Sequence, residues 1–148
     1  MERIKIYTDG ACRGNPGKGG WGVFIISGQE SKKIFGGKIE TTNNEMELMA
    51  AIKGLESFNS PTDLDLYTDS KYVMDGINDW IHNWKNNGWK TASKKPVKRS
   101  NLWKELDKLN NFHDVKWYWV KGHSGNPGNE MADDLANFAI SSKGGKPE

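Results

Sequence analysis

The 148-residue sequence is poor in cysteine and has no long apolar segment. Its one cysteine, Cys12, cannot form an internal disulfide, and no cysteine and histidine spacing resembles a structural zinc site. No apolar run approaches the roughly 18 residues of a membrane-spanning helix, and the charged start does not resemble a signal peptide. We therefore expect a reduced, cytoplasmic protein with no membrane association, no obligate protein partner and a monomeric state.

Acidic residues are missing from one segment of the chain. From Trp80 to Lys104 the sequence has seven lysines or arginines, no aspartate or glutamate, and four of the seven tryptophans, although the whole chain has a net charge of only +2. Basic residues interleaved with aromatic ones are typical of a surface that binds nucleic acid. Tryptophans packed in a core beside a solvated lysine loop would give the same pattern. The composition alone leaves both interpretations open.

Hydrophobic periodicity predicts one α/β domain over residues 1–141, followed by a flexible tail over 142–148. The predicted strands are Arg3–Thr8, Trp21–Ser27, Lys32–Glu40, Asp63–Thr68 and Val115–Val120. The predicted helices are Glu45–Phe58, one capped by Ser70 and ending near Asn78, Trp80–Asn86, one capped by Ser100, and one from Asn126 or Pro127 to about Ile140.

The connections between these elements predict a mixed five-stranded sheet. Short links make strands 1 to 3 an antiparallel meander, and the helical crossover after strand 3 lays strand 4 parallel to an earlier strand. We expect strands 4 and 5 to be parallel to strand 1, with helices on both faces. The basic segment at about 80–100, here called the basic arm, is expected to form a helix-loop protrusion.

Four carboxylates from separate segments are candidates for a common site. Asp9 and Asp69 each follow a Tyr-Thr pair where a strand is predicted to end, so parallel neighbouring strands would bring them together at a ligand-binding edge of the sheet. Glu47 lies in the first turn of the helix after strand 3, and Asp133 lies at the edge of the buried face of the last helix. Each of these four residues could instead have a purely structural role, as the cap of a turn or helix or as a solvated side chain.

The chemistry of such a set favours a hard divalent cation. Four carboxylates without a cysteine or histidine cluster suit Mg²⁺ or Mn²⁺ better than zinc, and two such ions can promote hydrolysis of a phosphodiester. His123 lies between glycines near Asp133 and can move a proton, or it is a surface residue without a role, as we assume for His82 and His113. The Gly17–Gly22 segment fits G-x-G-x-x-G but precedes a strand, which indicates a glycine-rich turn.

Longer motifs resemble type 1 ribonuclease H over about residues 3–140. They are Tyr-Thr-Asp-Gly-Ala-Cys-Arg-Gly-Asn-Pro-Gly from Tyr7, Thr-Thr-Asn-Asn-Glu-Met-Glu from Thr41, Tyr-Thr-Asp-Ser from Tyr67, Gly-Trp-Lys-Thr from Gly88, and Val-Lys-Gly-His-Ser-Gly-Asn-Pro from Val120. The resemblance implies a ribonuclease H-like fold and cleavage of the RNA strand of an RNA/DNA hybrid, leaving 5′-phosphate and 3′-hydroxyl ends. It also implies two Mg²⁺ ions in the active site, with Mn²⁺ as a substitute.

The resemblance assigns catalytic roles to five positions. Asp9 would bridge both metal ions, and Glu47 and Asp69 would hold one of them. Asp133 would complete the other ion's site beside the attacking water, and His123 would assist proton movement and product release.

The resemblance also implies a substrate surface. Asn15, Asn43 and Asn44 match positions that face the minor groove, where amides pair with 2′-hydroxyls and base edges. Thr42 matches a phosphate pocket. Residues of the basic arm would grip the DNA strand, and our candidates there are Trp80, Trp84, Lys85, Lys94, Lys95, Lys98 and Arg99.

Three positions depart from better-known bacterial relatives, and two other functions stay open. Glu40 and Glu45 replace arginines beside the phosphate pocket, which should weaken phosphate contacts, whereas Arg99 replaces an asparagine and restores a positive charge. A non-catalytic hybrid-binding module is an alternative, although unused carboxylates would only repel nucleic acid. A related enzyme that cuts or joins DNA is another, which the three asparagines disfavour.

Overall fold

Residues 3–141 are described by a computed structural model, in which they form one five-stranded sheet. The strands are β1 (Ile4–Arg13), β2 (Gly17–Ser27), β3 (Glu30–Thr41), β4 (Asp63–Thr68) and β5 (Asp114–Trp119). Their order is β3-β2-β1-β4-β5, with β1, β4 and β5 parallel and β2 antiparallel to both neighbours. The predicted mixed sheet is confirmed, but the glycine-rich turn predicted at Gly17–Gly22 is wrong, because this segment pairs with β1 as the first half of β2. The predicted tail at 142–148 lies outside the described residues.

Helices follow β3, β4 and β5, and side chains cap the starts of some of these helices. They are α1 (Asn43–Glu56), α2 (Lys71–Asp75), α3 (Ile81–Asn86), α4 (Ser100–Phe112) and α5 (Pro127–Ser141), with a π-helical turn over Gly76–Trp80. The Thr42 hydroxyl accepts the Glu45 N–H at the start of α1, and the Ser70 hydroxyl accepts the Val73 N–H at the start of α2, both at 3.2 Å. Of these helices, none is long and apolar enough to cross a membrane.

Helices cover both faces of the sheet, as predicted. A Cβ on Gly22 of β2 would lie 2.3 Å from the Ala132 carbonyl oxygen of α5, so α5 packs directly on the backbone of one face. On the other face, Gly54 of α1 lies against Ile6 of β1. The main core fills that second face; its fully buried residues include Ile6, Val23, Leu48, Leu55, Leu64, Leu66, Trp103 and Leu106.

The prediction of two separate helices over 70–86 was wrong. The helix α2, the π-helical turn and α3 follow one another without a break from Lys71 to Asn86. No proline interrupts this stretch, and Ile77 and Ile81 are both buried, so the same packing continues through it. Gly76 at the start of the π-helical turn leaves room for the Trp103 ring, which a Cβ there would meet at 2.0 Å.

Ser100 does not cap α4 as predicted but is its first residue. The cap position belongs to Arg99, whose backbone is left-handed (φ 61°, ψ 32°) and whose side chain makes no capping hydrogen bond. A residue with a Cβ adopts this conformation rarely, which is why capping propensity alone pointed to the serine.

The assumption that His113 is a surface residue was also wrong. His113 is 5% exposed, and its Nδ1 accepts the Thr62 N–H at 3.1 Å. Its Nε2 must therefore carry the proton that it donates to the Leu55 carbonyl oxygen at 2.9 Å. The ring ties the end of α1 to the start of β4, a contact between segments that no local pattern indicates.

Candidate active site

Strand register brings Asp9 and Asp69 together, although one of them is not at a strand end. The pairing of β1 with β4 stops at Thr8 and Thr68, so the two following aspartates are neighbours. Asp69 follows β4 as predicted, but β1 continues to Arg13 because β2 pairs with it along that whole length. The prediction that Asp9 ends a strand was therefore wrong, whereas its placement beside Asp69 was right.

Glu47 from α1 completes a compact group of three carboxylates. One oxygen each from Asp9, Glu47 and Asp69 lies within 4.8 Å of the others. The close approach of α1 depends on Gly10, where a Cβ would lie 2.5 Å from the Glu47 nitrogen. Asp9 and Glu47 are only 4% and 6% exposed.

Burial and mutual repulsion perturb these groups strongly. Burial, together with the charges of Asp69 and Asp133, raises the pKa of Asp9 to about 9, even though the Gly10 N–H donates to Asp9 Oδ1 at 2.9 Å. Burial, then the charges of Asp9 and Asp69, raises the pKa of Glu47 well above its usual value. The site therefore favours ionised carboxylates only when positive charge is brought to it.

The residues fit a divalent cation. Glu47 Oε1 is buried and has no hydrogen-bond partner in the described part of the chain. A buried carboxylate oxygen without a donor is costly unless a ligand or ion contacts it. Three converging carboxylates are oxygen ligands of the kind that Mg²⁺ and Mn²⁺ prefer.

Asp133 and His123 face the same cleft of about 420 Å³. Asp133 lies outside the compact group of three, on α5, and Asn137 holds it by donating from Nδ2 to its Oδ1 at 3.2 Å and its backbone oxygen at 2.9 Å. His123 is exposed in the loop before α5 and has a left-handed backbone (φ 55°). The cleft thus brings together all five predicted catalytic residues.

Sequence reasoning missed the residues that support this cleft. The buried Asn129 is a hydrogen-bond partner of Asp69, although burial is the larger effect and raises the pKa of that aspartate. Asn129 and Asn137 are four residues before and after Asp133, a helical spacing that could have identified them. Gly122 lies against the Asp69 carboxylate, where a Cβ would be 2.8 Å from Oδ2.

A second cleft of about 750 Å³ contains most of the predicted substrate-binding residues. Those that line it are Asn15, Thr42, Asn43, Asn44, Trp80, Trp84, Lys98 and Arg99. The Asn43 N–H donates to Asn15 Oδ1 at 2.9 Å, which joins the β1–β2 turn to the start of α1. Asn43 also lines the first cleft, which contains Asp9, Glu47, Asp69, His123 and Asp133 and is called the carboxylate cleft below. The two clefts are therefore adjacent.

Three predicted lysines do not line this cleft. Lys85, Lys94 and Lys95 are all exposed outside it, and Lys85 forms an ion pair with Asp107 at 3.2 Å. These three lysines therefore form basic surface outside the second cleft.

The tryptophans of the basic arm differ in burial. The Trp84 ring contacts the rings of Trp80, Trp89 and Trp103, with centroids 5.4 to 6.0 Å apart. Trp103 is fully buried, whereas Trp80 is 37% exposed at the cleft. These ring contacts pack the basic arm against the domain, and the Trp80 ring stays partly exposed to solvent.

The Glu45 carboxylate has partners that the sequence did not reveal. Lys38 Nζ lies 2.9 Å from Glu45 Oε2, and the Thr41 hydroxyl donates to the same carboxylate. Burial alone would raise the pKa of Glu45, but these hydrogen bonds lower it. The Glu45 carboxylate is therefore paired with Lys38 and Thr41, which both belong to β3.

Comparison with known proteins gives consistent matches over nearly the whole chain. The family model for RNase H matches residues 1–141. A ribonuclease H from Alcanivorax borkumensis is 62% identical over 140 residues, covering 95% of this chain and 93% of that protein. Another, from Francisella tularensis subsp. novicida, is 59% identical over 144 residues, covering 97% and 95%. The crystal structure of LC9-RNase H1, a type 1 RNase H with the type 2 active-site motif, superposes with a TM-score of 0.86 at 30% identity, covering all of this chain and 78% of that one.

Proposed function

Because the chain belongs to the RNase H family, and is therefore a hydrolase of the RNA strand in RNA/DNA hybrids, we propose that it cuts that strand endonucleolytically with two divalent cations. The products would carry 5′-phosphate and 3′-hydroxyl ends. The catalytic domain would span residues 1–141 and act as a cytoplasmic monomer without an obligate protein partner.

The observation that carries this proposal is the buried Glu47 Oε1, which has no hydrogen-bond partner within residues 3–141 and belongs to a group of three carboxylates. Asp9, Glu47 and Asp69 would hold one cation, and Asp9 with Asp133 the other. Bound Mg²⁺ or Mn²⁺ would supply an activated water and stabilise the leaving oxygen of the phosphodiester.

The remaining roles belong to side chains around the carboxylates. Asn137 keeps Asp133 in place through its two hydrogen bonds. His123, exposed at the rim of the same cleft, would take a proton from the reacting water or give one to the leaving oxygen, and would assist product release.

The second cleft suits the hybrid. Amides at Asn15, Asn43 and Asn44 can donate to and accept from 2′-hydroxyls, which distinguish RNA from DNA. Trp80 offers an open ring, and Thr42 and Arg99 offer donors to a phosphate. The exposed lysines 94, 95 and 98 would add attraction to the DNA strand.

The proposal is tested by presenting one end-labelled sequence in four forms, each with Mg²⁺ and with a chelator. The forms are RNA/DNA hybrid, double-stranded RNA, double-stranded DNA and single-stranded RNA. We expect Mg²⁺-dependent cutting of the RNA strand of the hybrid alone, at internal positions. Binding of the hybrid without cutting in Mg²⁺ or Mn²⁺ would instead support a non-catalytic module, and cutting of duplex DNA would support a DNA-processing enzyme.

A further inference from the structure

The Arg99 side chain connects the starts of three helices at the wall of the second cleft. Arg99 directly precedes α4 in its left-handed conformation. Its Nη2 donates to Thr42 Oγ1, the cap of α1, at 2.8 Å, and its Nη1 donates to the hydroxyl of Tyr72, in α2, at 3.3 Å. The guanidinium is therefore held by two neutral oxygens.

Among the described residues, no carboxylate pairs with the charge of Arg99. Within residues 3–141, none of the ion pairs involves Arg99. Glu45 is near enough for Arg99 to lower its pKa, although burial and the bonds from Thr41 and Lys38 have larger effects on it, and its carboxylate is paired with Lys38. A half-buried guanidinium with neutral partners, facing a cleft, is suited to bind an anion.

Tyr72 links Arg99 to the buried core. Its hydroxyl also accepts the indole N–H of Trp103 at 3.2 Å, and Trp103 is fully buried. The Tyr72 ring lies beneath the Arg99 guanidinium, with 5.8 Å from Cζ to the ring centroid. The phenol oxygen is thus held from the core side and offers Arg99 both a hydrogen-bond acceptor and an aromatic face.

We propose that Tyr72 is a positioning residue whose hydroxyl holds the Arg99 guanidinium beside Thr42, ready for a backbone phosphate of the bound hybrid. The inference rests on the proposed function, which supplies the phosphate. An arginine that is fixed before the substrate arrives loses less conformational freedom on binding. Tyr72 would therefore act on substrate affinity through Arg99 and leave the chemical step unchanged.

The test is a double-mutant cycle with Tyr72→Phe, Arg99→Ala and the combined variant. Tyr72→Phe keeps the ring and removes only the hydroxyl. We expect it to raise KM for the hybrid by about 3- to 10-fold with kcat unchanged within twofold, the size expected for the net loss of one ordinary hydrogen bond, because Arg99 keeps its bond to Thr42. In the Arg99→Ala background the same change should alter KM by less than about 1.5-fold, because nothing remains to be positioned.

Tyr118→Phe is the matched control. Tyr118 is a 40% exposed tyrosine on β5 whose ring stacks on Tyr67, away from the second cleft, and its change should leave KM unaltered. Melting temperatures of all variants would show whether a lost contact to Trp103 has loosened the core. An effect through Trp103 would persist when Arg99 is absent.

Two results would overturn the inference. One is an equal rise in KM from Tyr72→Phe with and without Arg99, and the other is a fall in kcat at unchanged KM. The same cycle measured as dissociation constants in chelator reports binding without cleavage. Wild-type protein that binds the hybrid but does not cut it would contradict the proposed function and still allow the cycle to decide the role of Tyr72.

Discussion

The carboxylate centre and the basic arm are built in opposite ways. Asp9 and Glu47 are buried and fixed by strand register and helix packing, whereas Lys94, Lys95 and Lys98 are exposed on a loop. Buried carboxylates at close range oppose folding until a cation neutralises them, while solvated lysines cost almost nothing and each contributes little. Under the proposed function, the few buried carboxylates would carry the chemistry and the many exposed lysines would carry the binding.

The largest effect should come from Asp9→Asn. Removing the charge of Asp9, which interacts with each of the three other carboxylates, should lower the single-turnover cleavage rate in Mg²⁺ by about 10³-fold. Asp134→Asn, at an exposed neighbour of Asp133 on α5, is the control and should keep the wild-type rate. If the Asp9 variant retained Mg²⁺-dependent activity, the carboxylates would not be the catalytic site.

His123→Ala should have an intermediate effect. Because His123 lies at the rim of the carboxylate cleft, its loss should slow turnover by about 100-fold without abolishing it. His82→Ala changes an exposed histidine on α3 and should leave turnover unaltered. Complete loss of cleavage in the His123 variant would mean that this histidine is an indispensable ligand or base.

A smaller effect is expected from changing Lys94, Lys95 and Lys98 together to alanine. We expect KM for the hybrid to rise by about 3- to 10-fold and the slope of log affinity against log salt to fall by up to about 2 to 3, since each phosphate contact releases counterions. Lys32, Lys33 and Lys116, exposed on other strands, provide a matched triple substitution. An unchanged salt slope would mean that these lysines do not contact phosphates and that the basic arm is a solvated loop.

The smallest effect concerns the stability of the metal-free protein. A carboxyl group whose pKa is raised on folding contributes stability that is present below about pH 4 and is lost as the pH rises towards the folded value, about 9 for Asp9. At pH 7 to 8 Asp9→Asn should therefore raise the unfolding temperature in chelator by about 3 °C, or about 1 kcal/mol, with no gain near pH 4. Thermal unfolding at both pH values measures this, and an equal gain at both would contradict repulsion as the cause.

Much of the fold follows from sequence because its signals are local. The alternation in Asp63–Thr68 and the capping cluster before α1 gave an exact strand and a helix start within two residues. The failures depended on distant partners. The length of β1 is set by β2, the place of His113 by Leu55 and Thr62, and the continuity of the helical stretch through Gly76 by the Trp103 ring.

The candidate site likewise has features that could be predicted from local sequence and features that could not. Repeated Tyr-Thr-Asp triplets and helix positions identified the carboxylates, because strand register and helical period are readable in sequence. The partners of Glu45 and Arg99 were not readable, since Lys38 and Tyr72 reach them from other elements. The pairing of Glu45 with Lys38 therefore emerges only from the structure, and the effect of Glu45 on phosphate binding stays a prediction.

One measurement tests the separation of chemistry from binding most directly. The dissociation constant in chelator and the saturating single-turnover rate in Mg²⁺ are determined on the same labelled hybrid for wild type, Asp9→Asn and the triple alanine variant of the arm. The account predicts that Asp9→Asn loses the rate but keeps the dissociation constant within about threefold, whereas the triple variant weakens binding and keeps the rate. A triple variant with a lower saturating rate, or an Asp9 variant that binds as poorly as it cuts, would contradict it.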